Sequence, residues 1–312
     1  MSKTENNILL FSITLCWSAS YVFIKSLPAE LSSYAYLTMT TGIAALLLTV
    51  IFWKRMKKIT RSTVKSGFIL SLLLTFNLLM EKNGLSLLPT SNASFLSALT
   101  ILIVPLILLT FRRKPGINNI VGAGIILLGL CLTSRFSLAA FISMGSLYML
   151  LACFASASYI IAADKFTKQE DPLLIGIVQM ICTAVSGFVL WTIEEPTTFF
   201  SVNYTNSLLS SIFILAFFAK AYAYIVLMFS QKYADPMSVT IIASTEPVVT
   251  LFLALMIPAA YGSPETFSMF SLAGALIIAL GAVVAGSNFM KLKEPKSPME
   301  SRGERSAASH GN

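Results

Sequence analysis

Two charged side chains stand deep inside apolar runs, Lys220 within Leu215-Ala216-Phe217-Phe218-Ala219-Lys220 and Glu246 just before Pro247. On insertion scales an uncompensated charge at the centre of a bilayer costs at least about 2.5–3.5 kcal/mol, so such residues face a cavity or a partner. Glu246 lies about ten residues into its run, roughly 15 Å deep at the helical rise, and Lys220 lies about as far from the end of its own. The two could meet. One chemistry is a fixed ion pair that only ties two helices together. The other is a site: Glu246 binds a cationic substrate group or carries a coupling proton, while Lys220 tunes its charge or holds a carboxylate. A zwitterion such as an amino acid would suit one charge of each sign.

Other residues are candidates for the walls of the same cavity. Asn77 must find a partner if it is buried in hydrocarbon, across a helix interface or in the cavity itself. Trp17, Ser20 and Tyr21 in the first half of the chain, with Ser158, Tyr159, Tyr222 and Tyr224 in the second, offer rings and hydroxyls at comparable depth. Pro105 and Pro247 each remove a helical hydrogen bond and are expected to kink their helices, and Pro258 reads as a terminal break. Glu81 and Lys82 read as a surface pair closing the third run, and Trp53 and Trp191 as interfacial anchors.

Enzyme chemistry has no such footing. The single histidine is His310, near the C-terminus, and neither GxSxG, HExxH nor a P-loop occurs. Cys16, Cys131, Cys153 and Cys182 sit in apolar runs as small packing residues, with no metal spacing or disulfide framework. The reading calls for no cofactor and no metal. The expected partners are a small-molecule substrate and the lipid bilayer, with a coupling proton as an option and no nucleic acid.

The elements that must hold these residues are membrane helices. The 312 residues are 56% hydrophobic and 12% charged, with mean hydropathy +0.78, too apolar for a surface wetted by water. Continuously apolar runs recur over 7–27, 31–53, 64–80, 89–111, 117–134, 139–163, 172–193, 206–230, 236–260 and 267–289. Barrel strands would alternate, so the fold class expected is an all-α integral membrane protein of ten transmembrane helices. The polar tail, 290–312, reads as disordered. The net charge of +8 is concentrated in links, with Lys54, Arg55, Lys57, Lys58, Arg61 and Lys65 after the second run and Arg112, Arg113 and Lys114 after the fourth. By the positive-inside rule both termini face the cytoplasm of a plasma (bacterial inner) membrane.

The two halves of the chain also repeat. Ser18-Ala19-Ser20-Tyr21 returns as Ser156-Ala157-Ser158-Tyr159, and at the same offset of 138 residues Trp53 falls on Trp191. Pro105 pairs with Pro247, and Gly122 and Gly129 with Gly274 and Gly281, which with Gly124 and Gly286 let the fifth and tenth helices approach a neighbour closely. Five runs per half is an odd number, so the second half enters the membrane from the opposite side. The organisation expected is 7–134 and 139–289 as inverted five-helix repeats, an architecture suited to alternating access around a midplane site.

Thr90-Ser91-Asn92-Ala93-Ser94-Phe95-Leu96-Ser97-Ala98-Leu99 with Val104-Pro105-Leu106, and Glu246-Pro247-Val248-Val249 in the second half, resemble the repeat signatures of EamA-type members of the drug/metabolite transporter superfamily. The resemblance implies ten helices around a central cavity lined mainly by helices 1 to 4 and 6 to 9. It also implies export or exchange of small organic solutes such as amino acids, without ATP. Family members often carry an acid near the end of the fourth and ninth helices, where this chain has Arg112-Arg113-Lys114 and Pro258-Ala259-Ala260. A lipid or lipid-linked flippase and a passive channel are the alternatives within the same membrane class.

Overall fold

Helices begin where the sequence supplies an oxygen for their first free N–H groups. Ser2 and Glu5 form a reciprocal capping box. Ser32, Thr60, Ser143 and Thr205 each accept from a backbone N–H three residues on, and Asp171 and Asp235 cap helices that open on Pro172 and Pro236. The computed structural model describes residues 2–28, 30–111, 116–133, 142–198, 202–256 and 268–286. Among them every regular element is helical: α1 Lys3–Lys25, α2 Ser33–Met56, α3 Arg61–Leu87, α4 Thr90–Ser97, α5 Thr100–Thr110, α6 Ile117–Thr133, α7 Met144–Thr167, α8 Pro172–Glu194 and α9 Asn206–Ile214. A π-helical segment, Leu215–Tyr222, follows, and then α10 Ala223–Tyr233, α11 Pro236–Ala243, α12 Glu246–Met256 and α13 Met269–Gly286. Eight spans are long and apolar enough to cross a membrane, and Ile117–Gly129 and Met269–Ala285 are shorter apolar helices. The Arg112–Lys114 link, Pro258 and the 290–312 tail lie outside the described residues.

The outside of the bundle is greasy and the inside is partly polar. Leu46, Val50, Leu72, Phe188 and Leu276 are exposed, whereas Ser18, Thr40, Thr41, Ser71, Gln179 and Thr183 are buried. This inversion of the water-soluble pattern fits a surface bathed in lipid. Buried hydroxyls are accommodated because many bond their own helix: Thr40 donates to the Tyr36 carbonyl at 2.8 Å, Thr41 to Leu37 at 2.6 Å and Ser71 to Phe68 at 2.7 Å.

Packing is two-fold symmetric in pattern. Helix α3 lies on α7 and α8, and its counterpart, the span from α9 to α10, lies on α1 and α2. Helix α4 packs on α12 and α5 on α11, so the two broken spans cross antiparallel. Helices α6 and α13 meet through glycines. A Cβ on Gly122 would come within 2.5 Å of the Gly281 carbonyl, and one on Gly129 within 2.8 Å of the Gly274 carbonyl. Gly122 thus faces the counterpart of Gly129, as an antiparallel interface between like helices requires. Gly124 has open space beside it and plays no part in the contact.

Two sequence expectations about helix shape shift. The third span does not stop at residue 80 but continues to Leu87, which carries Glu81 and Lys82 inward. The kink of the fourth span also falls elsewhere, whereas that of the ninth falls in the turn ahead of Pro247, where the missing proline N–H puts it. The fourth span breaks at Ala98–Leu99 and runs on through Pro105 inside α5, while the ninth breaks at Ser244–Thr245, just ahead of Glu246-Pro247. The first pieces are 8 residues each and the second pieces 11. Matching them superposes Thr90 on Pro236 and Thr100 on Glu246. Pro105 is therefore four residues, about one helical turn, out of register with Pro247.

Candidate functional site

The broken and π-helical segments converge on one cavity of about 90 Å³. From α1 come Trp17, Ser20 and Tyr21, and from α3 come Asn77 and Glu81. The break between α4 and α5 contributes Ser97 and Thr100, and α7 contributes Ala152, Cys153 and Ser156. The second half adds Lys220 and Tyr224, then Thr240, Ser244 and Glu246 around the other break. The π segment matters here, because its wider turn offsets the face of the span at the point where the one buried cation of the cavity sits. Such segments recur at functional sites.

Three charged side chains line the cavity, not two. Lys220 and Glu246 are 3% and 7% exposed, yet no ion pair joins them; among the described residues the ion pairs are Arg55–Asp171 and Lys168–Asp164. The carboxylate acting on Lys220 is Glu81. The Lys220 Nζ also lies 5.6 Å from the Tyr36 ring centre and 5.9 Å from that of Tyr224, within cation–π range. Glu81 has the Tyr21 hydroxyl beside it, and Ser97 lies next to that hydroxyl. Among the described residues no cation forms an ion pair with Glu246, and Glu81, of like sign, shares its cavity.

Of the wall residues expected from sequence, Trp17, Ser20, Tyr21, Asn77, Lys220 and Glu246 border the cavity. Asn77 is also glue, since its Nδ2 donates to the Ala152 carbonyl of α7 at 2.9 Å. Ser158, Tyr159 and Tyr222 lie elsewhere. Ser158 is two residues, about 200°, round the helix from the wall residue Ser156, and it donates to the Phe154 carbonyl at 2.8 Å. Tyr159 stands one layer behind the wall, its hydroxyl bonded to Gln179 at 2.9–3.1 Å and its ring edge-on to Tyr224 at 6.0 Å. Tyr222 is half a turn from Lys220, exposed, and shares a 2.9 Å hydrogen bond with Ser12. Tyr224, a full turn on, faces inward and packs on Trp17 at 5.7 Å.

Glu81 is the residue that sequence reasoning misplaced, taking it for a span boundary. Its spacing from Asn77, four residues or about one helical turn, is the signal that puts both on one face. Glu81 is half-buried, and its neighbour Lys82 is buried and donates to the Ser86 hydroxyl at 3.3 Å. Trp191 is buried rather than interfacial, its indole donating to Thr198 at 2.6 Å, whereas Trp53 is exposed.

At the end of the molecule that carries the α2–α3 and α7–α8 links, polar ties join the two halves. Arg55 pairs with Asp171 at 3.4 Å, and one Glu170 oxygen accepts from Ser62 at 2.9 Å and from Ser66 at 2.8 Å.

The sequence matches the model of the EamA-like transporter family over residues 6–135 and again over 143–287. No curated protein matches it at the sequence level. A protein of known crystal structure is similar in fold, with a TM-score of 0.71 and 18% identity over 93% of this chain and 100% of that one. With both halves covered by one family model and an all-helical bundle whose outer surface is apolar, this chain belongs to the EamA-like transporter family and is a multi-pass membrane protein.

Proposed function

We propose that the protein is a secondary transporter that exports small organic metabolites such as amino acids, working by alternating access through the central cavity. The observation that carries this reading is the meeting of Glu81, Lys220 and Glu246 in one cavity built on interrupted helices. Charges of both signs in a dry interior are costly unless a solute or partner uses them, and helix breaks place free backbone groups where a cavity can satisfy them.

In this reading the halves rock against each other about the cavity. The Arg55–Asp171 pair and the Glu170 hydrogen bonds hold one entrance shut. The protein resides in the plasma membrane, with both termini and that latched entrance on the cytoplasmic side, as the basic residues of the α2–α3 link favour.

Reconstituted vesicles test the reading. A labelled amino acid should enter faster when the same unlabelled amino acid is trapped inside, and the rate should saturate. Uptake that rises linearly with concentration, without acceleration by trapped solute, would make the protein a pore, and scrambling of labelled lipid without solute flux would make it a flippase.

A further inference from the structure

Four hydroxyl groups of the cavity wall, those of Ser20, Ser97, Thr240 and Ser244, have their protons turned away from it. Ser20 donates to the Trp17 carbonyl at 2.7 Å, Ser97 to Ser94 at 2.7 Å and Ser244 to Ile241 at 2.6 Å, while Thr240 reaches the Pro236 and Met237 carbonyls, each at 3.0 Å. A hydroxyl has one proton and two lone pairs, so each of these four side chains can offer the cavity acceptors only. Ala243, also in the wall, has a carbonyl whose helical donor would be residue 247, and proline has no N–H to give.

Glu246 sits among these acceptors. It is 93% buried by its 7% exposure, borders the cavity, and makes neither an ion pair nor a side-chain hydrogen bond among the described residues. The cavity's cation, Lys220, lies over two tyrosine rings and shares the wall with the oppositely charged Glu81. The cavity therefore presents one carboxylate more than it has cations, ringed by lone pairs and walled by Trp17 and Tyr224, whose ring faces attract cations.

We propose that the cavity selects solutes carrying a small organic ammonium group, which seats its charge on Glu246 and donates its N–H hydrogens to the acceptors of Ser20, Thr240 and Ser244. Lys220 answers a carboxylate on the same solute when one is present. The volume of about 90 Å³ admits an ammonium head with a short chain, well below the roughly 300 Å³ at which drug-sized pockets begin. The proposal rests on the transport reading of this cavity, but binding to purified protein is measured without flux, so a failure to bind amines and a failure to transport are separate results.

Thermal unfolding of the full chain in detergent at pH 7 tests it, with millimolar n-butylammonium, tetramethylammonium, butyrate, 1-butanol and sodium as separate probes. A ligand that binds only the folded state raises the melting temperature. Butylammonium should raise it by about 2 °C or more, tetramethylammonium by clearly less because it has no N–H to give, and butyrate and butanol not at all. The butylammonium shift should vanish in Glu246→Gln and survive, reduced, in Glu246→Asp, which keeps the carboxylate. Since each variant is compared with its own ligand-free melting curve, a loss of stability does not mimic a loss of binding. An equal shift from butyrate, from tetramethylammonium or from sodium, or an undiminished butylammonium shift in Glu246→Gln, would overturn the proposal.

Discussion

Lys220 and Glu81 are opposite charges in one cavity wall, and the stability of single and paired variants should show their coupling. Removing one member of a buried charge pair costs about 3–5 kcal/mol because it strands the other. Lys220→Met is therefore expected to lower the melting temperature sharply, and adding Glu81→Gln should recover part of the loss. Adding Glu246→Gln instead should recover less, because the attraction on Lys220 comes from Glu81 rather than from Glu246. Equal recovery from both would mean the three charges act as one shared cluster. The sequence made Lys220 and Glu246 visible because each interrupts a long apolar run. It hid Glu81 because Glu81-Lys82 follows an apolar run and looks like a polar end, while α3 continues for a further turn and a half with Leu85 and Leu88 buried at its close. Side-chain direction was the other loss: Ser158 and Tyr222 have the right depth but the wrong helical phase.

Helix packing is where small residues decide the outcome. At Gly122 a Cβ would fall 2.5 Å from both the Gly281 carbonyl oxygen and the Ala285 Cβ, backbone and short side chain that cannot swing away. Gly122→Ala should therefore separate α6 from α13 and destabilise by about 1–3 kcal/mol, the usual range for overpacking. Gly124→Ala, in open space two residues on, should be neutral or slightly stabilising through helix propensity. Thermal unfolding of the two variants side by side would check the contrast. That glycines of α6 and α13 lie at a close helix contact was legible in the sequence, since it follows from their spacing along two apolar runs. The register of the broken spans was not. Two prolines suggested one alignment, but helix starts and breaks are set by caps and packing, and these place Thr100 where Glu246 stands in the second half. The π segment left no mark either, as Leu215–Tyr222 has the composition of an ordinary apolar helix.

At the scale of the molecule, the proposed alternating access has the two halves part to admit solute to the cavity. Cys153 is buried in its wall, with its thiol against the Leu96 carbonyl at 3.3 Å. In a variant whose other cysteines, Cys16, Cys131 and Cys182, are replaced by serine, Cys153 should react slowly with a water-soluble maleimide. Glu170→Ala removes the acceptor shared by Ser62 and Ser66 and should raise that rate several-fold, because opening of the latched entrance becomes easier. An unchanged rate would mean that the latch does not limit access.

The central claim is that the cavity around Glu246 is the path of the solute, and counterflow in vesicles tests it most directly. Wild-type protein, Glu246→Gln and Glu246→Asp would be reconstituted at equal, verified density and loaded with an unlabelled amino acid. The account predicts saturable, trans-stimulated uptake in the wild type, loss of at least about tenfold in Glu246→Gln, the effect of roughly 1.4 kcal/mol or more, and an intermediate rate in Glu246→Asp. Full counterflow in Glu246→Gln would contradict it and place the path elsewhere in the bundle.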